Sequence, residues 1–278
     1  MNRSKIRQWF APGPTVVAVL VCLVVTLAAQ TAVAQSPAFN NGSLKGSYGF
    51  LMAKWTSTSS ESAWNVVGVM TFDGAGDLSG SFTENKAGSV DTGTFTGTYS
   101  VKSNGTGSMS LTISNGGKAT LGLVIDASTK NIQLLETDCS NKPCDYVNSG
   151  TAIAQVSTSF SNASLKGAFG RLVNKWTADP NQAAEASIGV ATFDGAGNMK
   201  VSTTDNTAGT VTADTWKGTY SVNSDGTGSF ALSDSKGNKV TGALVVNSAG
   251  KGYQLMLTSL PCGSSCGNMV MSGSATHQ

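Results

Sequence analysis

The stretch FNNGSLKGSYGFLMAKWT that starts at Phe39 returns as FSNASLKGAFGRLVNKWT at Phe160, 121 positions later. The register then holds: GVMTFDGAGD at Gly68 matches GVATFDGAGN at Gly189, and GTYSVKSNGTGS at Gly97 matches GTYSVNSDGTGS at Gly218. A chain that repeats itself at this period is two copies of one unit of about 120 residues, the length of an ordinary domain. Whatever folds the first copy must also fold the second. Residues 35–157 are read as the first unit and 158–278 as the second.

Within each copy the apolar period is that of strands. Phe95, Gly97, Tyr99 and Val101 alternate with Thr94, Thr96, Thr98 and Ser100, and Met109, Leu111 and Ile113 alternate with Ser108, Ser110 and Thr112. Such alternation buries one face of a β-strand. Asn104-Gly105 and Asp225-Gly226 separate successive runs and predict two-residue hairpins, because those residues tolerate positive φ. FDGAG at Phe72 and Phe193 predicts another tight turn of that kind. No sustained apolar period of 3.6 with helix caps is found. Strands are expected near 44–55, 64–73, 77–84, 93–102, 107–114, 118–126, 131–137 and 146–154, and again in the second copy. Short turns join neighbours, so an antiparallel meander follows. An eight-strand meander has two exposed edges unless it closes, and pairing Tyr146–Ala154 with Leu44–Trp55 removes them. The predicted fold class is all-β: two tandem antiparallel up-and-down barrels of about eight strands each, with open β-sandwiches as the alternative.

LKGSYGF, TFDGAG and GTYSV followed by GTGS resemble a recurring unit of secreted bacterial β-repeat proteins, over nearly the whole chain beyond its first 34 residues. The architecture resembles the calycin group of up-and-down barrels, such as avidin-like and lipocalin-like proteins, in strand number and length. The avidin biotin-pocket residues and the lipocalin opening motif are not found in register. The resemblance implies a barrel and export; it implies no activity.

Residues 1–34 read as a secretory signal: Arg3, Lys5 and Arg7 precede an apolar run from Val16 to Ala29, then Ala32-Val33-Ala34 before Gln35. The run is shorter than the roughly 20 apolar residues a membrane span needs. Cleavage after Ala34 removes Cys22 and three of the 18 Lys and Arg, leaving 15 against 16 acids, a net charge near −1. Without a basic field, nucleic acid and anionic membrane are poor partners. The expected localisation is secreted, extracellular or periplasmic. Four cysteines then remain in two pairs, each late in its repeat. An even, matched set in an exported chain predicts disulfides, and local pairing, Cys139–Cys144 and Cys262–Cys266, is the choice among three connectivities. A zinc site would need C-x4-C and C-x3-C, over a hundred residues apart, to converge without histidine. A redox dithiol at Cys262–Cys266 lacks the helix start and the spacing such pairs use.

Catalytic constellations are sparse. His277, the sole histidine, stands next to the terminus, where fraying is expected, so Ser-His-Asp and Cys-His chemistry is set aside. Asp73 and Asp194 recur, but each begins a D-G-x-G turn that uses the carboxylate for backbone hydrogen bonds. A calcium loop at Asp73 fails at Ala75, where an oxygen ligand belongs. Glycoside hydrolysis needs two positioned carboxyls; Glu84 aligns with Asp205, but Glu136 aligns with Leu257.

Aromatic residues are the remaining handle. Trp55 and Trp176 recur after the first strand, while Trp64 aligns with Glu185 and Trp216 with Phe95. They could stack on a ligand or plug a barrel. Arg171 replaces Phe50 on the face of Leu165, Phe169 and Val173. It either projects into the second barrel, paired with an anionic ligand or an interior acid such as Asp234, or lies exposed near the strand end.

These observations lead to an expected exported, non-enzymatic tandem barrel with no cofactor and no metal. Tyr48, Phe50, Phe72, Phe95 and Tyr99 would line a mouth for a small apolar ligand, with Trp55, Trp64, Arg171, Trp176 and Trp216 as ligand-contacting candidates. A structural or adhesive protein that contacts an envelope surface component is the alternative, and a carbohydrate-active enzyme is a third reading.

Overall fold

The computed structural model describes residues 38–56, 62–138, 146–157, 159–177, 183–260 and 268–278. The four cysteines of the two repeats, the pairing expected of them, and residues 1–37 lie outside that set. The first copy forms β1 (Gly46–Thr56), β2 (Trp64–Phe72), β3 (Asp77–Lys86), β4 (Ser89–Val101), β5 (Thr106–Ile113), β6 (Lys118–Ile125), β7 (Ile132–Glu136) and β8 (Tyr146–Ala154). The second forms β9 (Lys166–Thr177), β10 (Glu185–Asp194), β11 (Asn198–Thr207), β12 (Thr210–Val222), β13 (Thr227–Ser233), β14 (Lys239–Asn247), β15 (Gly252–Ser259) and β16 (Met269–His277). Each strand pairs antiparallel with the next. β8 returns to β1 from Tyr48↔Ala154 to Thr56↔Tyr146, and β16 returns to β9 from Phe169↔His277 to Thr177↔Met269. Both sheets are closed barrels rather than open sandwiches, so no strand is left with an unpaired edge. Among the described residues no helix is long and apolar enough to cross a membrane.

One end of each barrel is sealed by the chain's own lead-in. A single 3₁₀ turn, Asn41–Ser43 or Asn162–Ser164, precedes the first strand and drops Leu44 or Leu165 fully into the core. The Tyr99 hydroxyl lies 3.0 Å from the carbonyls of both Asn41 and Leu44. Tyr220 repeats this with Asn162 and Leu165 at 2.8 and 2.9 Å. The Asn41 side chain accepts the Val101 N–H, as Asn162 accepts that of Val222, each at 2.8 Å. Tyr48, Phe72 and Tyr99 meet edge to face behind this seal, with ring centroids 5.3 and 4.9 Å apart. Of the five aromatics expected to line a mouth, these three therefore fill the sealed end.

Two turns differ from expectation. Lys102–Gly105, not Asn104-Gly105 alone, separates β4 from β5; the Gly105 N–H donates to the Lys102 carbonyl at 2.9 Å, and Gly105 itself takes φ +84°. FDGAG likewise makes a four-residue connection, in which Asp73 Oδ1 accepts the N–H groups of Ala75, Gly76 and Asp77 at 2.7, 2.9 and 3.0 Å. The true two-residue hairpins are Ala87-Gly88 and Ala208-Gly209, between the pairs Lys86↔Ser89 and Thr207↔Thr210. Ala87 and Ala208 sit at φ 51° and 47°, which the primed turn requires but alanine does not favour.

Phe39–Gln278 form one compact unit because the barrels pack side by side. Burial ceases to alternate from Asn65 to Met70 in β2 and from Gly242 to Asn247 in β14. Alternate side chains there fill their own barrel while the rest meet the other. Leu51, Val67 and Val69 pack on Ala243, Val245 and Met256. A Cβ on Gly49 would stand 2.8 Å from Val245 Cγ2, so glycine sets how closely the barrels approach. Polar contacts complete the junction. Asn85 donates to the Leu257 carbonyl at 2.9 Å, Gln254 to the Thr151 hydroxyl at 2.8 Å, and Gln155 to the carbonyls of Asp225 and Val246 at 3.1 and 2.9 Å.

Candidate functional site

Opposite its sealed end, each barrel holds a cavity, and the two cavities are lined by equivalent positions of the repeat. The first measures about 180 Å³. Phe50 and Met52 of β1, Val66 of β2, Phe82 of β3 and Phe95 of β4 give it an apolar wall, with Trp64 at the start of β2. Phe95 stands edge to face with Phe50 at 6.0 Å and stacks with Phe82 at 6.5 Å. The inward parity of each strand puts these residues there: Tyr48, Phe50 and Met52 alternate with Gly49 and Leu51, which face the other barrel.

Polar groups ring the end of this cavity away from the seal. Glu84 on β3, Lys118 on β6, Glu136 on β7 and Asn148 on β8 line it, the two acids on opposite walls. Trp64 Nε1 donates to Glu84 Oε2 at 2.7 Å, and the Asn148 amide donates to Glu136 Oε2. Burial holds the Glu136 carboxyl above the ordinary glutamate range, against the Asn148 hydrogen bond and the Lys54 charge, which pull it down. Lys54 Nζ lies 4.1 Å from the centre of the Tyr146 ring. Glu136, weighed in the sequence only as a possible catalytic carboxyl, and Asn148, not singled out there, meet at this cavity. Their signal is parity, since Ile132, Leu134 and Glu136 share the inward side of β7 and an acid ends that apolar series.

The second cavity, about 120 Å³, exchanges that character. Arg171 stands where Phe50 does, Glu185 where Trp64 does, Ser187 for Val66 and Thr203 for Phe82; Trp216 keeps an aromatic at Phe95's place, and Asp205 keeps an acid at Glu84's. Arg171 projects into the barrel rather than lying exposed. Its Nη2 donates to Ser187 Oγ at 3.4 Å, and its Nε is buried with no partner among the described residues. Burial lowers its pKa, while Tyr253 and Asp205 support its charge. Asp234 is not its partner: that carboxylate accepts the N–H groups of Lys236 and Asn238 in the β13–β14 turn. Thr203 donates to Asp205 at 2.9 Å, and Lys175 pairs with Glu185 at 3.6 Å.

Of the sequence candidates, Trp64 lines the first cavity, and Arg171 and Trp216 line the second. Trp55 and Trp176 line neither; they meet at the junction of the barrels with ring centroids 4.0 Å apart, and Trp176 Nε1 donates to Ser272 at 2.9 Å. His277 is held in the barrel. It ends β16 paired with Phe169, its ring 4.8 Å from the phenyl ring, and lies at the sealed end away from both cavities. Among the described residues no group of three His, Cys, Asp or Glu side chains is placed to hold a metal ion. No protein family model and no curated protein matches the chain, so a reading of its function rests on this geometry.

Proposed function

We propose that the chain is an exported, non-catalytic tandem barrel whose first barrel binds a small, largely apolar molecule carrying one hydrogen-bond-donating group. The observation that carries this reading is the first cavity: sealed below by Tyr48, Phe72 and Tyr99, walled by Phe and Met, and bordered at its other end by two carboxyls on opposite walls, an ammonium and an amide. A dry cavity of roughly 150 Å³ lined by such side chains takes up a molecule the size of benzene, so about 180 Å³ suits a single aromatic ring or a short aliphatic chain. Glu84 and Glu136 offer acceptors to its polar end. Export is supported by the basic start, apolar run and Ala-x-Ala of residues 1–34.

Two carboxyls in one cavity also invite a glycoside hydrolase reading. The wall argues against it, because Phe50, Met52, Val66, Phe82 and Phe95 leave a sugar's hydroxyls without partners, at roughly 1–3 kcal/mol for each unsatisfied group.

Native mass spectrometry of protein purified from its own host would reveal a co-purifying ligand, and calorimetric titration with indole and benzylamine tests the cavity directly. Binding is expected to the intact protein and to be lost in Ala119→Phe, which fills the cavity from β6. If no ligand co-purifies and neither probe binds, the reading fails; turnover of a glycan by the same protein would replace it with the hydrolase.

A further inference from the structure

The junction between the barrels is heterologous: the first barrel uses a face centred on β1–β2, and the second a different face, centred on β14–β15 and bordered by β16 and β9. Each barrel also carries the other's face, because the repeat supplies it. The second barrel's copy of the β1–β2 face is Leu172, Ile188 and Val190 on β9–β10, and the first barrel's copy of the β14–β15 face is Val124 and Leu135 on β6–β7, beside Val147 on β8. Inside the chain the corresponding side chains Val67, Val245, Met256 and Val270 are at most 2% exposed, and Leu51, which corresponds to Leu172, is half-buried. Leu172, Ile188, Val124, Leu135 and Val147 are 46–58% exposed, and they are five of the nine large apolar side chains exposed among the described residues. Apolar exposure gathered onto two such faces marks an interaction surface.

The polar contacts of the junction recur as well. Gln254 and Thr151, which join across it, have exposed counterparts in Gln133 and Ser274; Asn85 has Asn206, Gln155 has Gln278, and the close-approach Gly49 has Gly170. The counterparts of β8 residues are counted from the closing pairs Tyr48↔Ala154 and Phe169↔His277. Val67, Met256 and Thr151 return as the similar Ile188, Leu135 and Ser274 and Ala243 as Gly122, while Asn65 becomes Ala186, Asn247 becomes Asp126 and Ser248 becomes Ala127. Of these, the Asn65 amide and the Asn247 side-chain Oδ1 are buried without partners where they stand, whereas Ser248 donates to the Ala154 carbonyl at 2.6 Å, a bond that Ala127 lacks. In an eight-strand ring β2 and β7 are three strands apart by the shorter route, with β1 and β8 between them at the rim of both faces.

We propose that the chain assembles head to tail with further copies of itself, the free β9–β10 face of one copy seating on the free β6–β8 face of the next as β1–β2 seats on β14–β15 within each chain. A heterologous contact of this kind repeats into a ring or an open row rather than closing as a symmetric dimer. Sedimentation velocity on protein purified from its own host is expected to show species larger than a dimer that grow with concentration. Leu172→Asp/Ile188→Asp removes one face and Val124→Asp/Leu135→Asp the other; each variant alone is expected to be monomeric, and the two mixed to form a heterodimer and nothing larger. The four positions are exposed, so the variants are expected to melt with the wild-type protein, and Val211→Asp, an exposed site outside both faces, is expected to assemble normally. A wild-type protein that stays monomeric throughout, or single-face variants that still dimerise, would overturn the proposal.

Discussion

Phe50 and Arg171 occupy one position in two copies of one barrel, and that exchange decides what each interior can hold. A guanidinium in place of a phenyl ring brings Ser187, Thr203, Asp205 and Glu185 into its surroundings, where the first barrel has Val66, Phe82, Glu84 and Trp64. Alignment of the copies made Arg171 conspicuous, but its direction was legible only from parity, and its neighbour Asp205 lies on a strand the sequence pairs indirectly. Glu136 shows the cost of a charge in the apolar version. Because its carboxyl titrates above the ordinary glutamate range, the folded protein holds that proton more tightly than the unfolded chain does. Its contribution to stability therefore weakens as pH rises from the ordinary range through the raised value, and is restored as pH falls back. Glu136→Gln is expected to melt higher than wild type at pH 7, with the difference closing below about pH 4, where the carboxyl is protonated folded and unfolded alike. A melting difference independent of pH would show that the side chain acts by shape alone.

Strands were the most legible elements, since period-2 alternation and turn residues give both their number and their limits to within a few residues. β4 shows where that signal runs out. It begins at Ser89, four residues before the expected start, because the hairpin ahead of it is Ala-Gly and carries no Asn or Asp to announce it. The repeat keeps the defect at Ala208. A non-glycine residue in the left-handed region costs roughly 1–2 kcal/mol, and asparagine bears that conformation better than alanine. Ala208→Asn should raise the unfolding free energy by about 0.5–1 kcal/mol in urea titration, leaving the register Thr207↔Thr210 intact. A loss of stability would mean that the hairpin is not the primed type. The Asp turns work in the opposite sense: Asp194 accepts the N–H groups of Ala196 and Asn198 and the Asn198 amide, and these bonds, the side-chain one foremost, pull its pKa down to about 2.

At the scale of the molecule the second face of each barrel was not legible, because a side chain pointing outward from its own barrel looks solvent-facing to any local pattern. Asn65, Gln254 and Val245 are buried only because another barrel covers them. The copies read alike there: Val67 and Val69 return as Ile188 and Val190, and Val245 as Val124, with only Ala243 to Gly122 and Asn247 to Asp126 marking the covered face of β14. Val245→Asp places a charge in that junction, where an unpaired buried charge costs about 3 kcal/mol or more, yet the position becomes solvated if the barrels part. Calorimetry is expected to show one unfolding transition for the wild type and two for the variant. One unshifted transition in both would mean that the junction contributes little to cooperativity.

The two seals have a directional consequence. Gln155, just past the sealed end of the first barrel, bonds to the carbonyl of Asp225 at the sealed end of the second, while Ala63, beside the first cavity's mouth, bonds to Asn268 beside the second's. Both cavities thus lie toward one side and both seals toward the other. The described part of the molecule has a front and a back: an apolar cavity and a charged one stand side by side toward the front, and the two seals toward the back.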